Sequence, residues 1–148
     1  MAFRYSLQSV LRLRYSLERQ EEQRLFGAAA VVARLRGDIE HHENNHFDQK
    51  RCAFQEIISG SSGAALHFIA VCDATYEQRR QALLLQLEQA EKKRMEQLEL
   101  YKLARQTRET FEGLRDRQED AYQMDFARHQ QQSTDEAYLL RLFSNPID

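Results

Sequence analysis

The sequence predicts an all-α protein: a long antiparallel two-helix coiled-coil hairpin with a short C-terminal helical tail. Turn-forming residues cluster only once before about residue 130, in the Gly/Ser-rich segment 59–63. The single proline, Pro146, lies near the C-terminus, so no proline interrupts the chain on either side of that segment. We therefore predict one elongated domain over 1–148, with a helix from about 4 to 58, a hinge at 59–63, a helix from about 64 to 131 and a tail at 132–148.

The composition favours an elongated helical structure over a compact globular core. Charged residues make up 30% of the chain and Gln is frequent, and these residues are good helix formers that solvated coiled coils use. The formal net charge of -2 gives no general attraction for polyanions. We therefore expect no nucleic-acid partner.

We expect no targeting segment in the first 14 residues. Arg4, Arg12 and Arg14 interrupt the most apolar stretch, which argues against a secretory signal peptide. No segment approaches the roughly 20 apolar residues that a membrane-spanning helix needs. We expect a soluble cytoplasmic protein.

Apolar residues recur at a spacing of three and four along the first predicted helix. This spacing predicts a coiled-coil seam, the line of side chains that each helix turns toward the other. Arg14 and Glu21 interrupt it. The predicted seam residues are Phe3, Leu7, Val10, Leu17, Leu25, Ala28, Val32, Leu35, Ile39, His42 and His46.

The second predicted helix carries a similar seam, with arginines at three positions where apolar residues are expected. Arg80, Arg94 and Arg108 can extend their charged ends toward water, but each is expected to weaken the seam. The apolar and aromatic seam residues are Leu66, Ile69, Tyr76, Leu83, Leu87, Ala90, Leu98, Tyr101, Ala104, Phe111, Ala121 or Tyr122, and Phe126.

The position of the hinge predicts which residues face each other. If the chain reverses near Ser62, residues whose numbers add to about 124 lie opposite one another. This register places Leu35 near Ala90 and Leu25 near Leu98.

The same register brings the two cysteines, Cys52 and Cys72, close across the hairpin. A disulfide is geometrically conceivable, but a reducing cytoplasm favours two thiols.

The C-terminal tail contains a helix-start signal. Ser133 and Glu136 have the spacing of a capping box, and the apolar run Tyr138–Phe143 follows them. We predict a break after about residue 131 and then a short amphipathic helix. This helix either folds back onto the hairpin or docks on a partner.

Catalytic chemistry has few candidate residues. His42 and His46 lie one helical turn apart and could share a metal ion, with His41 beside them. The predicted register places Gln78, Arg79 and Arg80 opposite, and these side chains do not complete a metal site. The sequence has no Gly-rich phosphate loop and no desolvated carboxylate pair. We expect no enzymatic activity and no cofactor.

Apolar side chains exceed what a two-helix seam can bury at both ends of the predicted hairpin. Phe126, Tyr138 and Phe143 lie beyond the end of the first helix. Phe47, Phe54, Leu66, Phe68 and Ile69 lie near the hinge. Exposed apolar groups at such ends are candidate partner contacts.

The N-terminal sequence FRYSLQSVLRLR at residues 3–14 is followed by a Glu-rich stretch and then by LFGAAA at residues 25–30. This arrangement resembles the opening of the flagellar export protein FliJ family, in which Phe-x-x-x-Leu-x-x-Val-Leu-x-x-Arg precedes acidic and then small residues. The chain length, the hinge near residue 60 and the aromatic-rich start of the second helix are also similar. About the first 35 residues carry the recognisable pattern.

The resemblance implies a component of the flagellar type III export apparatus, similar to the central stalk of rotary ATPases. Its implied partners are the hexameric export ATPase, the cytoplasmic domain of the export gate and export chaperones. The implied location is the cytoplasm, peripheral to the inner face of the cell membrane. The resemblance implies ATPase binding by Phe3, Leu7, Arg12, Arg14, Tyr122, Phe126 and Arg128, and gate binding by His46, Phe47, Phe68, Cys72 and Tyr76.

Two other functions remain open at this point. A homo-oligomeric coiled-coil scaffold would use the same seams between chains, with Arg80, Arg94 and Arg108 setting the register. A stalk in another ATPase or in a non-flagellar type III secretion system would have a nearly identical sequence pattern.

Overall fold

The computed structural model describes residues 3–60 and 63–144. These residues form two α-helices, α1 (Gln8–Ile58) and α2 (Gly63–Ser144), and contain no strand. The two helices pack against each other, which confirms the predicted two-helix hairpin.

Helix α1 begins one turn later than predicted. The amide of Gln8 donates to the carbonyl of Tyr5 at 3.4 Å, in a turn that precedes the helix. The side chain of Tyr5 is only 6% exposed, and its hydroxyl donates to the carbonyl of Phe111 at 3.2 Å. This long-range contact holds the N-terminal residues against α2 instead of extending α1.

Helix α1 ends at the predicted hinge. The amides of Ser59 and Gly60 donate to the carbonyls of Gln55 and Ile57, both at 3.1 Å. Gly60 has a φ of 95°, a left-handed conformation that glycine adopts without steric strain and that commonly ends helices. Ser61 and Ser62, at the centre of the predicted hinge, lie outside the described residues.

The C-terminal tail is helical as predicted, but it continues α2 directly instead of following a break. The hydroxyl of Thr134 donates to the carbonyl of Gln130 at 2.9 Å, the bond that a hydroxyl makes within a helix rather than at its start. No glycine or proline lies between Gly113 and Pro146 to interrupt the helix. Residues 145–148 of the predicted tail lie outside the described part of the chain.

Contacts divide the chain into two compact units. The terminal unit is Met1–Glu18 with Leu103–Asp148, and the hinge unit is Arg19–Lys102. Each unit therefore has its own pair of helical segments and its own seam. The single elongated domain over 1–148 stays a prediction.

In the hinge unit the predicted seam is confirmed by burial. Val32, Leu83 and Ala90 are buried, as is Ala53, which was not predicted. The half-buried seam residues are Leu25, Ala28, Leu35, Ile39, His42, His46, Ile69, Tyr76, Leu87, Leu98 and Tyr101. Leu66 lies outside the seam, with 60% of its surface exposed.

In the terminal unit the most deeply buried side chain is Leu11, which is 1% exposed and was not predicted. Leu7 and Phe126, which were predicted to lie in the seam, are exposed. The predicted residues that are half-buried are Phe3, Val10, Leu17, Ala104, Phe111 and Tyr122. The spacing thus correctly predicts which face of α1 turns toward α2. The most deeply buried residue on that face is Leu11, and the sequence predicts the adjacent Val10.

The sequence predicts two free thiols and no membrane-spanning segment. Cys52 is exposed and Cys72 is half-buried, and both are free thiols. Among the described residues, neither helix contains a stretch long and apolar enough to cross a membrane.

Candidate partner-binding sites

The terminal surface consists of the seven residues predicted to bind the ATPase: Phe3, Leu7, Arg12, Arg14, Tyr122, Phe126 and Arg128. Three of them form an aromatic row. The ring of Phe3 lies 5.7 Å from that of Tyr122, and Tyr122 lies 6.3 Å from Phe126. Phe126 ends the row with 47% of its surface exposed. The row thus runs from the seam to an exposed aromatic edge, which a partner could cover.

The three arginines of the terminal surface have different environments. Arg12 is exposed and lines an open groove of about 820 Å³ beside Phe3 and Arg4. Arg14 is half-buried, with its guanidinium carbon 5.5 Å from the centre of the Phe111 ring. Arg128 forms an exposed ion pair with Asp125 at 3.7 Å. The structure therefore places Arg12 at the surface and Arg14 in the seam.

Arg108, identified in the sequence only as a seam defect, is the centre of a polar network in the terminal unit. Its guanidinium donates to Glu18, Glu109 and Glu112, and it lies 5.2 Å from the centre of the Tyr15 ring. The hydroxyl of Tyr15 also donates to Glu112, which raises the pKa of Tyr15. Burial disfavours the charge on Arg108, but the hydrogen bond and charge of Glu18 and the charge of Glu112 raise its pKa overall.

The last part of α2 is exposed on all sides, since every residue of 123–144 is exposed. This confirms the prediction that Tyr138 and Phe143 lack packing partners on the first helix. The large apolar side chains in this segment are Met124, Phe126, Tyr138, Leu139, Leu140, Leu142 and Phe143.

The hinge surface consists of the five residues predicted to bind the export gate: His46, Phe47, Phe68, Cys72 and Tyr76. Its centre is an aromatic stack. The rings of His46 and Tyr76 are nearly parallel, at 7°, with centres 3.8 Å apart. His42 stacks on the same tyrosine at 5.0 Å and bonds its carbonyl through Nε2 at 3.3 Å. The two histidines are thus packed into the seam.

The residues opposite His46 differ from the prediction. Nε2 of His46 lies 2.9 Å from Oδ1 of Asp73, and Nζ of Lys50 lies 2.8 Å from the same oxygen. The pKa of Asp73 is lowered, mainly by the contact of its carboxylate with the Lys50 ammonium and further by the nearby charges of Lys50 and His46. Gln78, Arg79 and Arg80 were expected opposite the histidines. Arg79 does line the groove beside His42 and His46, and Arg80 pairs with Glu43, whereas the contact with Asp73 was not predicted.

The remaining residues of the hinge surface are more accessible. Phe47 is 66% exposed and Phe68 is 55% exposed. Cys72 is half-buried and lines a groove with His42, His46 and Tyr76. Within residues 3–60 and 63–144, no group of three His, Cys, Asp or Glu residues could hold a metal ion.

Comparison with known proteins gives a family match over nearly the whole chain. The family model described as Flagellar FliJ protein matches residues 3–146, a range that contains both candidate surfaces. No curated protein and no solved structure matches the chain.

Proposed function

Because the chain belongs to the Flagellar FliJ protein family, we propose that it binds and stimulates the hexameric flagellar export ATPase and couples it to the export gate. In this proposal it is a non-catalytic cytoplasmic component that reaches the inner face of the membrane only through the export apparatus. It also escorts export chaperones.

The exposed aromatic edge of the terminal surface is the observation that most supports the ATPase contact. The stacked pair Tyr122 and Phe126 ends at a side chain that is 47% exposed. Exposed aromatic side chains next to arginine are typical of residues that contribute most to protein interfaces. Arg12, also exposed, lies in the same unit.

A contact with a hexameric ring requires tolerance of several orientations. A pair of helices cannot match six equivalent subunits at once, so fixed hydrogen-bond geometry could serve only one of them. Long-range attraction between an exposed arginine and acidic groups depends less on orientation. Arg12 is suited to this role, whereas Arg14 is held against Phe111.

The test is ATP hydrolysis by the purified export ATPase with increasing amounts of the chain. We expect Arg12→Glu to remove most of the stimulation while the helical circular dichroism signal stays unchanged, because Arg12 is exposed. The matched control is Arg34→Glu, the same charge reversal at an exposed arginine of the hinge unit. Full stimulation by Arg12→Glu would remove the electrostatic part of the proposal.

The gate contact is proposed for the hinge surface. Two exposed phenylalanines in the same unit as the His46–Tyr76 stack support it, because such groups can act as anchors in a partner's pockets. We expect Phe47→Ala with Phe68→Ala to reduce capture of the purified gate cytoplasmic domain at least about tenfold. Phe26→Ala, at a phenylalanine that is 77% exposed in the same unit, serves as the control. Equal capture by the double variant and the control would contradict this assignment.

A further inference from the structure

The two sides of the hinge unit differ in how α1 and α2 meet. On one side, ion pairs cross between the helices: Arg36 with Glu91 at 2.6 Å, Glu43 with Arg80 at 3.2 Å, and Lys50 with Asp73 at 2.8 Å. Their α1 members, residues 36, 43 and 50, recur at the seven-residue spacing of a coiled coil. This side is closed by charged side chains.

The other side is open and carries three grooves, of about 590, 340 and 390 Å³. Within residues 19–60 and 63–102, the ion pair between the helices that involves a groove-lining residue is His46 with Asp73, and that aspartate also pairs with Lys50 on the closed side. Residues with the same seven-residue spacing line the grooves: Val31, Asn45 and Cys52 on α1, and Cys72, Arg79, Gln86 and Lys93 on α2. We call this side the groove face.

The floor of the groove face is apolar at both ends. Ala28, Leu35 and Ala90 form it farther from the hinge, and Ala53 with Phe68 forms it near the hinge. Side chains that recur every seven residues along a third helix could pack into a line of grooves with the same spacing.

The charges of the groove face indicate the kind of helix that fits. Arg79 and Lys93 are exposed, line two different grooves and have no ion-pair partner among the described residues of the hinge unit. They lie two seven-residue repeats apart. The carboxylates of Asp38 and Asp48 on this side already pair with Arg34 and Arg51 of the same helix. Glu56 lines the groove nearest the hinge, so the unpaired charge is positive in the other two grooves.

We propose that the groove face binds a third helix from a partner protein, an amphipathic helix with an apolar stripe and two acidic side chains about 14 residues apart. The acidic side chains pair with Arg79 and Lys93, while the apolar stripe covers Leu35, Ala90 and Phe68. The inference rests on the hinge unit alone and does not require the ATPase contact.

The test uses the full-length chain and two synthetic helical peptides. Both carry leucines at seven-residue coiled-coil spacing, and one has glutamates where the other has lysines, at two positions 14 residues apart. Fluorescence anisotropy measures their binding. We expect the glutamate peptide to bind the unchanged chain at least about tenfold more tightly than the lysine peptide, because only it complements Arg79 and Lys93. The double variant Arg79→Glu with Lys93→Glu should reverse this preference.

A second pair of variants tests the location. Val31→Arg places a large charged side chain in a groove and should abolish binding. Phe26→Arg, outside the three grooves, should leave binding unchanged. Equal binding of both peptides, or equal effects of the two arginine variants, would overturn the proposal. Self-association of the chain that Val31→Arg removes would show a second copy as the occupant and would also overturn it.

Discussion

Arg108 replaces an apolar residue in the seam of the terminal unit without leaving its charge unpaired. Glu18 supplies one acceptor from α1, and Glu109 and Glu112 supply others from α2 itself. A partly desolvated charge is tolerated best when its donors are paired, and the three carboxylates pair this half-buried guanidinium. Arg94 contrasts with it, because its Nε is buried without a hydrogen-bond partner.

Asp73 provides the clearest pH dependence in the hinge unit. Its pKa in the folded chain lies below the ordinary 3.8, so its pairing with Lys50 and His46 stabilises the fold above about that pH. This stabilisation is lost as the pH falls through the lowered value. We expect Asp73→Asn to lower the melting temperature at pH 7 on the order of a degree or two, and less as the pH drops below about 4.

Thermal unfolding followed by circular dichroism at several pH values measures this difference. Asp38→Asn is the control, because its carboxylate pairs with Arg34 on the same helix, at 4.0 Å, and not with a described residue of the other helix. If the melting temperature of Asp73→Asn differs from that of the unchanged chain by the same amount from pH 7 to pH 3, the effect of the substitution does not depend on the charge of the carboxylate.

The sequence predicts which of these residues lie in the seam but not which residues they contact on the other helix. The three-and-four spacing correctly places Arg80, Arg94 and Arg108 in the seam, because periodicity depends only on position along one helix. It does not predict Glu18 as the partner of Arg108, or Asp73 as the partner of His46 and Lys50. Those contacts depend on the local offset between the two helices, which a register counted from the hinge fixes only to within a few residues.

Helix boundaries depend on short-range signals of unequal strength. At the end of α1, the left-handed Gly60 and two backbone hydrogen bonds stop the helix where the sequence predicts. Near residue 133, serine and threonine alone do not stop α2, because their hydroxyls can bond to carbonyls one turn earlier. A glycine or proline is the stronger signal, and none lies there.

The exposed end of α2 is an element without a partner on α1. Leu139, Leu140 and Phe143 are at least half exposed there, so the surrounding helix gains little from packing. This segment was predicted either to fold back or to dock on a partner. It does not fold back in this structure, which leaves docking as its proposed role.

At the scale of the whole molecule, the register predicted from the hinge is confirmed to within a few residues in each unit. The ring of Phe3 lies 5.7 Å from that of Tyr122 in the terminal unit, and Glu43 pairs with Arg80 in the hinge unit. The seam residues of α1 therefore pack against those of α2 in the same chain. A scaffold that used the same seams between chains would have to open this hairpin.

The distance between spin labels on the two helices tests the hairpin most directly. Labels are attached at Asp38→Cys and Gln86→Cys in a chain whose Cys52 and Cys72 are replaced by serine, and the labelled chain is diluted with unlabelled protein. Neighbouring helix axes lie about 8–10 Å apart, so we predict a narrow distribution below about 30 Å that dilution does not change. A distance near the roughly 70 Å of one continuous helix, or a short distance that dilution removes, would contradict the hairpin.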